Sequence, residues 1–126
     1  MTTWTREELD KIGKAEELQI ASKRRDGTAR KPVTIWVVRV DDELYVRSVN
    51  GRASSWFCGV QVKQEGRIGG GGIEQEVTFS DAAPSLNDAI DAAYCAKYRG
   101  YAKSIVDSIL SPDARSATLN LVPRRR

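Results

Sequence analysis

Two tight turns do most to restrict what this chain can fold into. Asp26-Gly27 and Asp41-Asp42 cut the stretch from Ser22 to Val62 into short β-rich runs. A short acidic or glycine turn between such runs is the strongest local signal for a hairpin. Val33–Val40 is apolar on both faces, which suits a central strand, and Pro32 stands just ahead of it, where a missing N–H does least harm. Leu44–Val49 pairs back across Asp41-Asp42. Upstream, Glu17–Arg25 alternates, with Leu18, Ile20 and Ser22 on one face and Gln19, Ala21 and Lys23 on the other, as a half-buried strand does. The region therefore reads as a three-strand meander with a basic rim and a hydroxyl–amide–glycine loop, Ser48-Val49-Asn50-Gly51-Arg52, at one end.

Helices and further strands flank this meander. Thr5 and Glu8 form a capping box, Trp4 can staple onto Leu9, and Gly13 ends the helix they begin. Ala53, Trp56, Phe57 and Val60 recur at helical spacing, giving a short helix packed on the strands. Arg67–Ile68 and Ile73–Phe79 enclose Gly69-Gly70-Gly71-Gly72, which reads as a flexible hairpin loop, because a phosphate-cradling glycine loop would run into Gly-Lys-Ser/Thr. Ser85 starts a helix with Pro84 ahead of it. Leu86, Ile90, Ala93 and Lys97 form its stripe, Tyr94, Tyr98 and Tyr101 cluster beside it, and Gly100 breaks it. Ala102, Ile105, Val106, Ile109 and Leu110 make a second amphipathic helix, stopped by Pro112, and Ala117–Val122 is a closing strand. The sum is an α+β barrel-like fold of six strands in a single domain, 1–126.

Composition narrows the chemistry. The chain of 126 residues has no histidine, which removes Ser-His-Asp and Cys-His catalysis and every histidine-based metal site. Cys58 and Cys95 lack metal-type spacing and read as free, packed thiols in a reducing cytoplasm. No apolar run reaches the length of a membrane span. The net charge is only +3, yet eight basic residues face four acids between Lys23 and Arg52, and Arg124, Arg125 and Arg126 follow at the C-terminus. Such an excess suits phosphate on a small molecule or on nucleic acid, although a solvated surface is the plainer reading for any single residue.

The order of basic strand, Asp-Gly turn, Pro-Val-x-x-Trp-Val strand, Asp-Asp-Glu-Leu-Tyr-Val strand, Ser-x-Asn-Gly-Arg loop and tryptophan-bearing helix resembles the flavin-binding split-barrel superfamily of pyridoxamine phosphate oxidase-like proteins and deazaflavin-dependent reductases. Gly71-Gly72 ahead of Val77-Thr78-Phe79, together with Ala93-Tyr94-Cys95-Ala96-Lys97-Tyr98, is similar to the bacterial group called domain of unknown function 2255. The resemblance implies a six-stranded antiparallel split β-barrel with flanking helices, and a homodimer holding FMN or a deazaflavin in an interfacial groove. It puts the ring against the backbone of Val33, Thr34, Ile35 and Trp36. The phosphate would fall to Arg24 and Arg25 and to the loop Ser48, Val49, Asn50, Gly51 and Arg52. Hydroxyl, backbone N–H and guanidinium groups converging on one rim do make a good dianion site.

Three functions compete at this stage. A flavin- or deazaflavin-dependent oxidoreductase leaves hydride chemistry to its cofactor and needs no histidine. A flavin-free binding module of the same fold would take another phosphorylated or aromatic small molecule. A nucleic-acid binder ranks last, since few aromatics interleave with the basic residues. Trp56 can stack on an isoalloxazine, but its helical spacing makes it a core residue first. Lys97 on an apolar stripe can have a lowered pKa, or simply snorkel. Tyr94 and Tyr98 can donate protons, with a dimer interface the plainer role for them, because their helix and the meander present much apolar surface.

Overall fold

A computed structural model describes residues 3–124, so Arg125 and Arg126 of the basic C-terminal run lie outside the described residues. The elements in chain order are α1 (Arg6–Lys14), β1 (Leu18–Ser22), β2 (Val33–Ile35), β3 (Val37–Val40), β4 (Glu43–Arg47), α2 (Ser55–Val62), β5 (Glu65–Gly70), β6 (Ile73–Asp81), α3 (Asn87–Lys97), α4 (Lys103–Ile109), α5 (Pro112–Ser116) and β7 (Thr118–Pro123). The strands form one antiparallel sheet in the order β2-β1-β5-β6-β7-β4-β3. The fold is α+β, with seven strands where six were expected.

The extra strand comes from the run Val33–Val40. Its first half pairs with β1 (Gln19 opposite Thr34) and its second with β4 (Val37 opposite Val46). Neither partner strand exceeds five residues, so neither can pair with all eight, and the run changes partner at Trp36. Because one residue joins the two outermost strands, the sheet must curl until its ends meet there, as a nearly closed barrel. Apolar residues on both faces of this run follow from the same geometry. Val37 points into the barrel with Leu18, Leu44, Phe57 and Leu121. Val38 points outward beneath α3 and α4, among Tyr45, Ile90, Tyr94, Tyr98 and Ile109.

Several local expectations are met. The Thr5–Glu8 capping box is complete in both directions. Trp4 is buried in the same cluster as Leu9, and its Nε1 donates to the Leu121 carbonyl at 2.9 Å. Asp26 accepts from the Thr28 N–H at 2.9 Å, closing the Asp-Gly turn around a left-handed Gly27. Others need correction. Gly13 does not end α1 but lies inside it, where a Cβ would press on Arg39 Cβ at 3.2 Å. Ser85 is not a cap: it sits in a 3₁₀ turn, Pro84–Leu86, and α3 begins only at Asn87. Pro112 starts α5 as well as ending α4, with Ser111 accepting from the Ala114 N–H.

The glycine run divides in two. Gly69 and Gly70 belong to β5, while Gly71 and Gly72 make the turn, with φ of 58° and 81°. The tip is packed rather than loose, since a Cβ on Gly71 would lie 2.3 Å from the Lys11 carbonyl of α1. Cys58 and Cys95 are unpaired but exposed, not packed. Each follows a buried aromatic (Phe57, Tyr94) by one helical position, which turns it about 100° away from the core. Tyr94 and Tyr98 are buried within the protomer, so they offer no free face for a partner. Among the described residues no helix is long and apolar enough to cross a membrane.

An equally tight point inside the sheet is Gly66, whose Cα faces the β1 backbone. An added Cβ would lie 2.3 Å from the Ala21 carbonyl and 2.7 Å from Phe79 Cε2. Backbone cannot yield as a side-chain tip does. Gly66→Ala is therefore expected to destabilise by about 3 kcal/mol, at the upper end for overpacking. A urea midpoint within error of wild type would show that β1 gives way without strain.

Candidate functional site

The change of partner at Trp36 leaves β2 paired on one side only, and a cleft of about 320 Å³ opens along its other side. One wall is Val33, Thr34, Ile35 and Trp36. Ser48, Val49 and Asn50, just after β4, form the polar end with Ser54, and the Ser48 and Ser54 hydroxyls share a hydrogen bond of 2.7 Å. Trp56 from α2 and Ile105, Ser108 and Ile109 from α4 complete the lining. Two half-buried tryptophans, aliphatic side chains and a few convergent hydroxyls suit a planar aromatic ligand. Eight of the residues singled out in the sequence thus lie together. Gly51 is buried beneath them, left-handed at φ 75°, where a Cβ would meet Asp113 Cβ at 3.1 Å.

The expected anion cluster does not assemble within one protomer. Arg24 curls back over its own turn and donates to the Ala29 carbonyl at 3.0 Å, and Arg25 is exposed beside it. Arg52 is carried away from the cleft by the 3₁₀ turn Gly51–Ala53, donates to the Ser116 carbonyl at 2.7 Å and covers the Phe57 ring. It lines a different groove with Asp81, Asn87 and Arg115.

Two arginines that the sequence did not single out lie in more buried surroundings. Arg47 backs the cleft and is fully buried and engaged. Its Nε donates to Thr118 Oγ1 at 2.9 Å, Nη1 to the Asp91 carboxylate and the Ile109 carbonyl, and Nη2 to Asn87 Oδ1 at 3.2 Å. Asn87, Asp91 and Tyr94 fall at i, i+4 and i+7 of α3, so one helix face supplies an amide, a carboxylate and a ring under the guanidinium. Arg30 is the opposite case. Its Nε is buried without a partner, and no ion pair engages its guanidinium among the described residues. It lies across Gly59, where a Cβ would stand 3.0 Å from Arg30 Nε and 2.7 Å from Ser22 Oγ. Gly59 is one helical turn beyond Trp56, and Arg30 precedes Val33 by three residues.

Lys97 and Tyr98 close the exposed backbone of β3. Lys97 Nζ donates to the Val37 carbonyl at 2.6 Å, and the Tyr98 hydroxyl accepts from the Val37 N–H at 3.3 Å while donating to the Glu16 carbonyl at 2.7 Å. These contacts fill ladder positions that no strand occupies. Burial lowers the Lys97 pKa to about 8, with Glu16 opposing. Burial also raises the pKa of both Tyr94 and Tyr98, and the Tyr94 hydroxyl has no hydrogen-bond partner among the described residues.

The Lys97 shift has a consequence for stability. A folded-state pKa below the ordinary 10.5 means that the unfolded chain binds more protons between about pH 8 and 10.5. Lys97 therefore makes stability rise with pH in that window, until the tyrosines begin to oppose it above their ordinary pKa of 10. Urea melts at pH 7.5 and 9.5 should show wild type gaining stability relative to Lys97→Met. Equal changes in both proteins would mean that the ammonium is not desolvated.

Residues 8–121 match the family described as uncharacterized protein conserved in bacteria, domain of unknown function 2255. The chain belongs to this family. No curated protein matches it. Among solved structures, this family member is similar to a heme storage protein, HutZ, from Vibrio cholerae (12% identity, 93% of this chain and 87% of that one, TM-score 0.68). It is also similar to an F420 reductase (14% identity, 92% and 90%, TM-score 0.60) and to an FAD-binding protein from Mesorhizobium loti (14% identity, 98% and 92%, TM-score 0.55). At these identities the likeness establishes the fold alone: the domain of unknown function 2255 chain is a split barrel. The three names carry three different ligands, so the shared fold does not name one for this chain. Haem held through imidazole is out of reach for a chain with no histidine.

Proposed function

We propose that the chain is a flavin-type cofactor-binding protein, taking FMN or a deazaflavin in the cleft as a homodimer and serving as an oxidoreductase. The observation that carries this reading is the cleft itself, with the one-sided β2 edge, two tryptophans and a serine–asparagine end around one space. When bound, the ring supplies the redox chemistry. The chain's residues bind and orient it: the open backbone of Val33–Trp36 offers N–H and C=O groups to the ring edge, and Trp36 and Trp56 cover it and exclude water. The hydroxyls of Ser48, Ser54 and Ser108 meet its polar side. Arg30 lies outside the cleft lining, over Gly59 one helical turn beyond Trp56, and is the cation assigned on this reading to a phosphate arm that leaves the cleft past Trp56. Val49 and Ile105 at the rim are 47% and 48% exposed, and a second copy would cover them. Two free exposed thiols fit a reducing cytoplasm.

A second reading, a flavin-free binding module, draws on the engagement of Arg47 and Arg52 elsewhere, which leaves the cleft short of cations. The two readings part on the visible spectrum of protein purified from a host that makes both FMN and deazaflavin. Oxidoreductase function predicts a co-purifying chromophore and a scattering mass of twice 14.0 kDa. A colourless monomer that stays colourless when either cofactor is added contradicts it.

A further inference from the structure

We propose that Trp36 and Tyr101, packed together against Tyr98, form a one-electron relay from the cleft to the protein surface. Trp36 lines the cleft. Its indole stacks on Tyr98 with ring centres 3.8 Å apart and 4° between planes, and meets Tyr101 edge-on at 4.9 Å. Tyr98 and Tyr101 are 5.8 Å apart, so the three rings form one contact group. Tyr101 is 37% exposed, and its hydroxyl donates to the Glu16 carboxylate. A group of oxidisable rings with one end in a ligand cleft and the other on the surface beside a base is more than packing requires.

The surroundings decide where an oxidising equivalent comes to rest. The Tyr98 hydroxyl donates to a backbone carbonyl, which cannot take its proton, and Lys97 Nζ lies 5.1 Å from its ring centre. A cation there disfavours removing an electron from Tyr98. Tyr101 faces a carboxylate that accepts a proton at once. A one-electron oxidant in the cleft, an excited isoalloxazine on the reading above or a small radical such as azidyl, gains an electron from the Trp36 indole. Tyr101 returns an electron to the indole, its O–H bond breaks, and the proton passes to Glu16. The net change is one electron gained by the oxidant, a phenoxyl radical at Tyr101 and a protonated Glu16. The other tryptophans lack such an outlet: Trp56 has Phe57 as its ring neighbour, and Trp4 has no ring neighbour among the described residues.

The relay rests on the cofactor reading only for its oxidant, so the test leaves the cofactor out. Azidyl radicals generated by pulse radiolysis oxidise tryptophan in the cofactor-free protein, and the absorbances of indole and tyrosyl radicals are followed in time. The expected result is a first-order indole-to-tyrosyl phase whose rate does not change with protein concentration. Tyr101→Phe and Trp36→Phe should each slow that phase at least tenfold, Glu16→Gln should slow it less, and Trp56→Phe should leave it intact. Circular dichroism establishes that each variant is folded. A phase that persists unchanged in Tyr101→Phe, or a rate proportional to protein concentration, overturns the relay. Failure of FMN to bind in a separate titration would defeat the cofactor reading without altering this outcome.

Discussion

Asp91→Ala is expected to destabilise the protein by about 3 kcal/mol, the low end for breaking a buried ion pair. The low end applies because the Asp91 side chain keeps 26% of its exposure, whereas that of Arg47 is wholly buried. Removing the carboxylate leaves the guanidinium in place with its neutral partners, Thr118, the Ile109 carbonyl and Asn87, but with its charge uncompensated. Arg115, 3.3 Å from the other Asp91 oxygen, loses a partner too. Removing both members should cost less than removing one, because no stranded charge remains. Arg47→Met with Asp91→Leu is therefore expected to recover part of the loss. Urea melts of the single and double variants measure this, and a double variant less stable than Asp91→Ala would mean that Arg47 acts mainly through its neutral hydrogen bonds.

Arg30→Ala is expected to weaken FMN binding roughly tenfold to a hundredfold, the worth of one charge-assisted contact to phosphate. Riboflavin, which has no phosphate, should bind the variant and wild type alike. Arg24→Ala and Arg52→Ala should leave FMN affinity unchanged, because their guanidiniums are committed to the Ala29 and Ser116 carbonyls. Fluorescence titrations of the three variants with both flavins separate the cases. Equal weakening of FMN and riboflavin by Arg30→Ala would mean that the side chain shapes the cleft and does not hold an anion.

The strands and turns were legible because their signals are local. Period-two alternation in β1, the Asp-Gly and Asp-Asp turns and the capping box at Thr5 each involve residues a few positions apart. The break at Trp36 was not, since nothing in Val33–Val40 records that both partner strands are short. The wall and polar end of the cleft followed from the meander and its loop. The α4 side did not, because Ile105 and Ile109 look like an ordinary core stripe until Ile105 is found half-exposed at the cleft mouth. Basic composition did not fix where the arginine side chains go. A run of arginines gives charge but no direction, and a single 3₁₀ turn sends Arg52 towards α5. Arg30 was hidden for a related reason, since its orphaned Nε is defined by a glycine twenty-nine residues away.

The central claim, that this cleft takes a flavin-type ring, is tested most directly by titrating FMN into wild type and Ser108→Trp while following flavin fluorescence. Ser108 lines the cleft from α4, so an indole there fills the space and leaves the barrel untouched. The account predicts micromolar binding to wild type, about −8 kcal/mol, with emission quenched by Trp36 and Trp56, and a loss of at least a hundredfold in Ser108→Trp. Binding of equal strength in both proteins, or no binding of FMN, deazaflavin or riboflavin to wild type at roughly tens of micromolar, would contradict it.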